Sequence, residues 1–154
     1  MKGARNMKIS TKGRYALRMM LDLALHSSAD GNEFIALKDI AERQHISKKY
    51  LEQIVPMLNG AEFLITNRGY QGGYRLAKKP YEYTVSDILK VTEGSLAPVA
   101  CLEHDPNQCP HYSECHTIDV WEGLYKVIDE YLSGITLQDI IDKNRTDAAD
   151  NYSI

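Results

Sequence analysis

Cysteine is missing from almost the whole chain. All three, Cys101, Cys109 and Cys115, fall within one 15-residue span, and the other 139 of the 154 positions have none. Three unrelated thiols would not cluster in this way. No apolar run approaches the ~20 residues that cross a bilayer, so no membrane association is expected. The basic start Met1-Lys2-Gly3-Ala4-Arg5 has no apolar signal core behind it, so the expected compartment is the cytoplasm, where thiols stay reduced and a disulfide is a poor reading. Internal repeats and low-complexity tracts are also missing. No acid/base or nucleophile constellation accompanies the cysteines, so an enzyme is not expected. What remains, 44% hydrophobic and 25% charged, suits one globular core with an appendage.

Charge of one sign is scarce in each half. Residues 1–84 carry 14 Lys/Arg against 8 Asp/Glu, or +6, and residues 85–154 carry 4 against 13, or −9. The net charge of −3 hides this division. A basic half suits a polyanion, and an acidic half suits solvent or protein.

Apolar spacing predicts a buried first helix over 10–27, with Ala16, Met20, Leu23 and Ala24 on one face and Leu17 and Leu21 widening it. After the turn-rich 28–32, a short helix fits 37–43 through Leu37, Ile40 and Ala41. His45-Ile46-Ser47 interrupts it. Ser47 is a suitable N-cap for a third helix, whose stripe is Leu51, Ile54, Val55 and Leu58 and whose opposite face offers Lys48, Lys49, Glu52 and Gln53. A small hairpin follows, Phe63–Thr66 and Tyr74–Leu76, around a tip with Gly69, Gly72 and Gly73. Thr84-Val85-Ser86-Asp87 has the form of a capping box and opens a helix over 85–92, closed by Gly94. A long helix is expected over 117–132, stopped at Ser133-Gly134. A short capped one follows from Thr136, with a polar tail frayed from Arg145.

Two short helices around a three-residue turn, then a Gly-tipped basic hairpin, is the winged helix-turn-helix order. A helix fits the major groove when one stripe is anchored in a core and the other reaches phosphates and base edges. Lys48 and Lys49 also have the positive end of their helix behind them. Arg68, beside Gly69, is placed to enter the minor groove. The predicted fold is mainly α with a small β-hairpin wing: a winged helix-turn-helix DNA-binding domain over 7–94, a cysteine-bearing loop over 95–116, and a dimerisation helix with a short C-terminal helix over 117–143.

Within the loop, His104, His111 and His116 interleave with the cysteines, and Pro106 and Pro110 oppose regular structure. Thiolates ligate both zinc and iron–sulfur clusters, and the Cys-x7-Cys-x5-Cys spacing leaves the two open. In the long helix Asp119, Glu122, Lys126 and Asp129 hold one face, while Trp121, Leu124, Ile128, Tyr131 and other apolar residues cover the rest. That is more than one domain needs, and it predicts a two-fold homodimer presenting two recognition helices to a pseudo-palindromic operator in double-stranded DNA.

These stretches together resemble the IscR/NsrR/CymR family of bacterial winged-helix transcription regulators. The resemblance is carried by Met7-Lys8-Ile9-Ser10-Thr11-Lys12-Gly13-Arg14-Tyr15-Ala16, by Asp39-Ile40-Ala41-Glu42-Arg43-Gln44 with Ile46-Ser47, by Tyr50-Leu51-Glu52-Gln53-Ile54, and by Arg68-Gly69 with Gly72-Gly73-Tyr74-Arg75-Leu76. It extends to about Trp121, and it suggests Met7 as the usual start, with residues 1–6 an extension. It implies that Lys49, Glu52 and Gln53 face major-groove bases and that Arg68 reads the minor groove. It also implies an iron–sulfur cluster on Cys101, Cys109 and Cys115, 2Fe–2S or else 4Fe–4S, as in the IscR-like branch. The fourth ligand does not transfer. The IscR-like histidine position is Ile118 here, with His116 nearest, and the NsrR-like aspartate position is Arg14. Pro56 predicts a kink in the recognition helix, and Glu62 stands where the family has a turn glycine, so that helix is expected to end at Asn59-Gly60. The expected function is a homodimeric repressor or activator whose DNA binding follows cluster state. The alternatives are a zinc-stabilised DNA-binding or interaction module and an electron-carrying iron–sulfur protein.

Overall fold

The computed structural model describes residues 8–152, so the reading of residues 1–6 as an extension lies outside the described residues. Helix α1 spans Thr11–His26 and is opened by Ser10, whose side chain accepts the Gly13 N–H. Its buried face is Gly13, Ala16, Met19, Met20, Asp22 and Leu23. Met19 and Asp22 were not on the expected stripe, and Ala24 is only half-buried. Asp22 is wholly enclosed because the Arg43 guanidinium reaches it twice, at 2.7 and 3.1 Å, and Gln44 donates at 2.9 Å. A carboxylate so satisfied can enter a core that would otherwise reject it.

Helices α2 (Leu37–Gln44) and α3 (Lys48–Gly60) enclose a turn in which His45 takes a left-handed conformation and Ser47 caps α3 by accepting the Tyr50 N–H. Helix α3 runs without a break through Pro56 as far as Gly60. Its end takes the Schellman form: Phe63 N–H reaches the Leu58 carbonyl at 3.0 Å and Glu62 N–H reaches Asn59 at 2.9 Å. Glu62, at φ 60°, holds the left-handed position that glycine usually fills.

Strands β1 (Leu64–Asn67) and β2 (Gly73–Leu76) form the antiparallel wing, with Leu64 opposite Leu76 and Asn67 opposite Gly73. Ile35 and Tyr74 exchange both backbone hydrogen bonds at 2.9 Å, tying the wing to the α1–α2 connection. A side chain at Gly73 would strike the Ile35 carbonyl, so that glycine serves close backbone approach and not a positive φ. Tyr83 is the largest fully buried side chain among the described residues. Its hydroxyl accepts from Lys78 N–H and donates to the Phe63 carbonyl, each at 2.9 Å.

Helix α4 (Val85–Glu93) starts at the capping box Thr84–Asp87 and ends at Gly94. Its last residue, Glu93, accepts from Ser10 N–H at 3.0 Å and from the Ser10 hydroxyl, filling the space beside Gly13. Two isolated 3₁₀ turns, Ala100–Leu102 and Tyr112–Glu114, punctuate the loop before helix α5 (Ile118–Ser133). Helix α6 covers Leu137–Asn151. It returns to the main core through Leu137, and Ile141 one turn on is also buried. The tail expected to fray from Arg145 is instead helical to Asn151. No glycine or proline interrupts it, Ala148 and Ala149 favour helix, and the Thr136–Asp139 box secures its start.

The candidate nucleic-acid interface and the cysteine loop

The buried stripe of α3, Leu51, Ile54, Val55 and Leu58, turns Lys48, Lys49, Glu52 and Gln53 outward, and all four are exposed. A groove of about 730 Å³ separates α3 from the wing. It is lined by Lys48 and Glu52 on one side and by Arg68 and Gly69 on the other. Lys49 and Gln53 do not line it. Lys48 and Glu52 pair loosely at 3.9 Å along the helix. Such an exposed pair contributes little, so both heads are free to exchange this contact for another.

Sequence reasoning missed Lys38, which lines the same groove from the second residue of α2. Cations on α2, α3 and the wing thus surround one recess. Arg75, by contrast, turns away from it. Its Nη1 donates to the Gly31 carbonyl at 3.2 Å and to Asn32 at 3.1 Å, and its guanidinium lies 5.1 Å from the centre of the Phe34 ring. It braces the wing.

The three cysteines are half-buried and form no disulfide, while His104, His111 and His116 are exposed. The Asn107 side chain bridges two of the cysteine backbones, donating to the Cys101 carbonyl at 2.6 Å and accepting from Cys109 N–H at 2.8 Å. Hydrogen bonding from Thr117, whose hydroxyl stands 3.5 Å from the Cys115 sulfur, holds that thiol below its ordinary pKa. Three soft thiol donors on one loop fit an iron–sulfur cluster in kind. They are not assembled, however. Among the described residues no three His, Cys, Asp or Glu side chains stand close enough together to hold a metal ion. Ligation would have to draw the loop in.

Helix α5 has no buried residue. Tyr125 and Leu132 pack on Val85, Leu89 and Leu96, and Asp129 pairs with Lys90 at 3.0 Å. Val120, Trp121, Val127 and Tyr131 are exposed, and Leu124 and Ile128 are half-covered beside them. Asp129, one of the polar face read from the sequence, is therefore turned toward α4. Among the described residues no helix is long and apolar enough to cross a membrane.

The profile of the Rrf2 family, described as iron-dependent transcriptional regulators, matches residues 9–143. The Rrf2 protein of Nitratidesulfovibrio vulgaris is 38% identical over 88% of this chain and 87% of its own length. The regulator IscR of Aliivibrio salmonicida is 37% identical, over 96% of this chain and 90% of its own. Among solved structures, CymR, the global cysteine regulator of B. subtilis, superposes with a TM-score of 0.71 at 35% identity, covering 88% of this chain and 97% of that one. IscR of T. potens superposes with a TM-score of 0.69 at 39% identity, covering 92% and 91%. These relatives are transcription regulators and not enzymes, and the mainly helical fold with one small wing is theirs. The chain belongs to the Rrf2 family, as a DNA-binding winged-helix transcription regulator.

Proposed function

We propose that the protein is a cytoplasmic, homodimeric, sequence-specific regulator whose DNA binding is governed by an iron–sulfur cluster on Cys101, Cys109 and Cys115. In this reading residues 7–94 bind DNA, residues 95–116 hold the cluster and residues 117–143 form the dimer. The observation that carries it is the position of the three unpaired thiols. They occupy the one connection between α4, which packs into the DNA-binding core, and α5, which leaves Val120, Trp121, Val127 and Tyr131 exposed. A change in that connection moves one helix against the other, and with it the spacing of two recognition helices.

Lys49, Glu52 and Gln53 would meet major-groove bases, Lys48 and Lys38 phosphates, and Arg68 with Gly69 the minor groove. Trp121, Leu124, Ile128 and Tyr131 would form the two-fold contact, which suits a pseudo-palindromic operator. A bound cluster would supply a redox- and iron-sensitive cross-link among the three thiolates. The chain's own part is to hold those thiols: Asn107 orients the backbone at Cys101 and Cys109, and Thr117 favours the thiolate of Cys115. His104, His111 and His116 are the candidates for a fourth ligand.

Anaerobic purification with an absorption spectrum and iron, sulfide and zinc analysis tests this reading. The expected result is iron with sulfide and visible absorption, lost in each of Cys101→Ser, Cys109→Ser and Cys115→Ser. Stoichiometric zinc without sulfide would replace it with the zinc-stabilised module. A cluster in a protein with no salt-sensitive DNA binding would leave the electron carrier.

A further inference from the structure

The wing tip presents a side chain to which no role has been assigned. Tyr70 is 97% exposed, the most exposed large hydrophobic residue among those described. An aromatic ring left almost wholly in water at the end of a hairpin adds little to the fold, and a single exposed apolar side chain is ordinary by itself. Its place at the wing tip, two residues after Arg68, is what singles it out. The turn that carries it is tight. Gly72 N–H closes on the Gly69 carbonyl at 2.9 Å, and a side chain at Gly72 would stand 2.6 Å from the Asn67 carbonyl. Gly69 lies at φ 110° and Gln71 at φ 60°. A glutamine in the left-handed region is costly where glycine would be free. Even so, the tip retains two full side chains in succession.

Arg68 and Tyr70 face different ways. Arg68 lines the groove toward α3, whereas Tyr70 lines a second recess, with Asn67 and Gln71, toward His26 and Arg43. The tip is thus two-pronged, with a cation on the side of the recognition helix and a ring on the other. We infer that Tyr70 is a second wing contact to double-stranded DNA, its ring packing against the deoxyribose wall of the minor groove that Arg68 enters. This rests on the DNA-binding reading of the wing. The chemistry is complementary: guanidinium attracts the phosphate-lined groove, while an aromatic face suits the apolar C–H edge of the sugars. Because the ring is uncharged, it adds affinity without releasing counterions.

The test uses the full chain, purified anaerobically, and a duplex obtained by selection from a randomised library. Tyr70→Ala is expected to weaken binding about tenfold, in line with the loss of one aromatic contact to nucleic acid, and to leave the salt slope unchanged. Tyr70→Phe is expected to bind like the wild type. Arg68→Ala should lower the slope by about one phosphate equivalent. Thermal unfolding of Tyr70→Ala should match the wild type, because the side chain is 97% exposed and its loss uncovers almost no buried surface. Wild-type affinity in Tyr70→Ala, with Arg68→Ala still impaired, would overturn the inference and spare the wing reading. Wild-type affinity in both variants would remove the wing from the interface altogether. A Tyr70→Phe loss as large as that of Tyr70→Ala would overturn the ring contact, since the hydroxyl would then carry it.

Discussion

Helices α3 and α5 are similar in length, 13 and 16 residues, and both are rich in aliphatic side chains, yet they keep those side chains in different places. Helix α3 buries Leu51, Ile54, Val55 and Leu58 and turns its polar residues outward. Helix α5 buries nothing completely and leaves Val120, Trp121, Val127 and Tyr131 in solvent. The difference separates two tasks. Helix α3 is finished within one chain, anchored so that its polar face is held still. Helix α5 is anchored on α4 by Tyr125, Leu132 and the Asp129–Lys90 pair, and Val120, Trp121, Val127 and Tyr131 find no full cover among the described residues.

The sharpest way to break this comparison is to truncate one leucine in each helix. Leu58 is fully buried, and Leu58→Ala should cost about 2–5 kcal/mol in denaturant unfolding. Leu124→Ala should barely change the unfolding of the isolated chain, its effect appearing only as a weaker, concentration-dependent transition. Equal losses in dilute protein would mean that α5 belongs to the same core.

The complementary change is Leu124→Asp or Ile128→Asp. An unpaired carboxylate in an apolar interface costs several kcal/mol, so sedimentation should show monomer, with operator affinity lost and the N-terminal core still folded. An unaltered dimer in both variants would move the interface elsewhere.

The DNA-facing groove ranks next. If Lys38 and Lys48 contact phosphates, each alanine variant should lower the slope of log affinity against log salt by about 0.9. Affinity should fall alike for all duplexes. Glu52→Ala and Gln53→Ala should instead alter sequence preference with little change in slope. A uniform effect from all four would erase the distinction between residues that meet phosphates and residues that read bases.

How much of this was legible in sequence follows the same division. The first four helices and the wing declared themselves because local signals agreed: Ser10, Ser47 and Thr84 are caps, and the stripes repeat at helical spacing. Asp22 was missed because its burial depends on Arg43, 21 residues away, and no local pattern reports such a partner. Tyr83 sits alone between the 3₁₀ turn Pro80–Glu82 and the helix cap Thr84, without periodicity to mark it. Lys38 was overlooked because it belongs to the groove only through the packing of α2 beside α3. In the cysteine loop the thiols were visible as chemistry, but their spacing in three dimensions depends on turns that the sequence does not code periodically.

The smallest expected effect lies at the end of α3, where stability and function can be separated. Glu62 occupies the position after the helix cap at φ 60°, with its side chain exposed, and the two Schellman hydrogen bonds from Phe63 and Glu62 hold it there. An L-residue in this region is strained by roughly 1–2 kcal/mol. Glycine relieves that strain but gives back part of the gain through its freer unfolded chain. Glu62→Gly should therefore stabilise the protein by about 0.5–1 kcal/mol, raising Tm by about 2 °C for a domain of this size. Glu62→Ala keeps the strain and should gain nothing. Operator affinity and salt slope should be unchanged, because the Glu62 side chain does not line the groove between α3 and the wing. Thermal melts of the three proteins at one concentration, paired with binding curves, check both halves. A Glu62→Gly variant with no gain in Tm but altered affinity would mean that the strained carboxylate is kept for DNA, and the division between a face that binds and an end that only terminates would fail there.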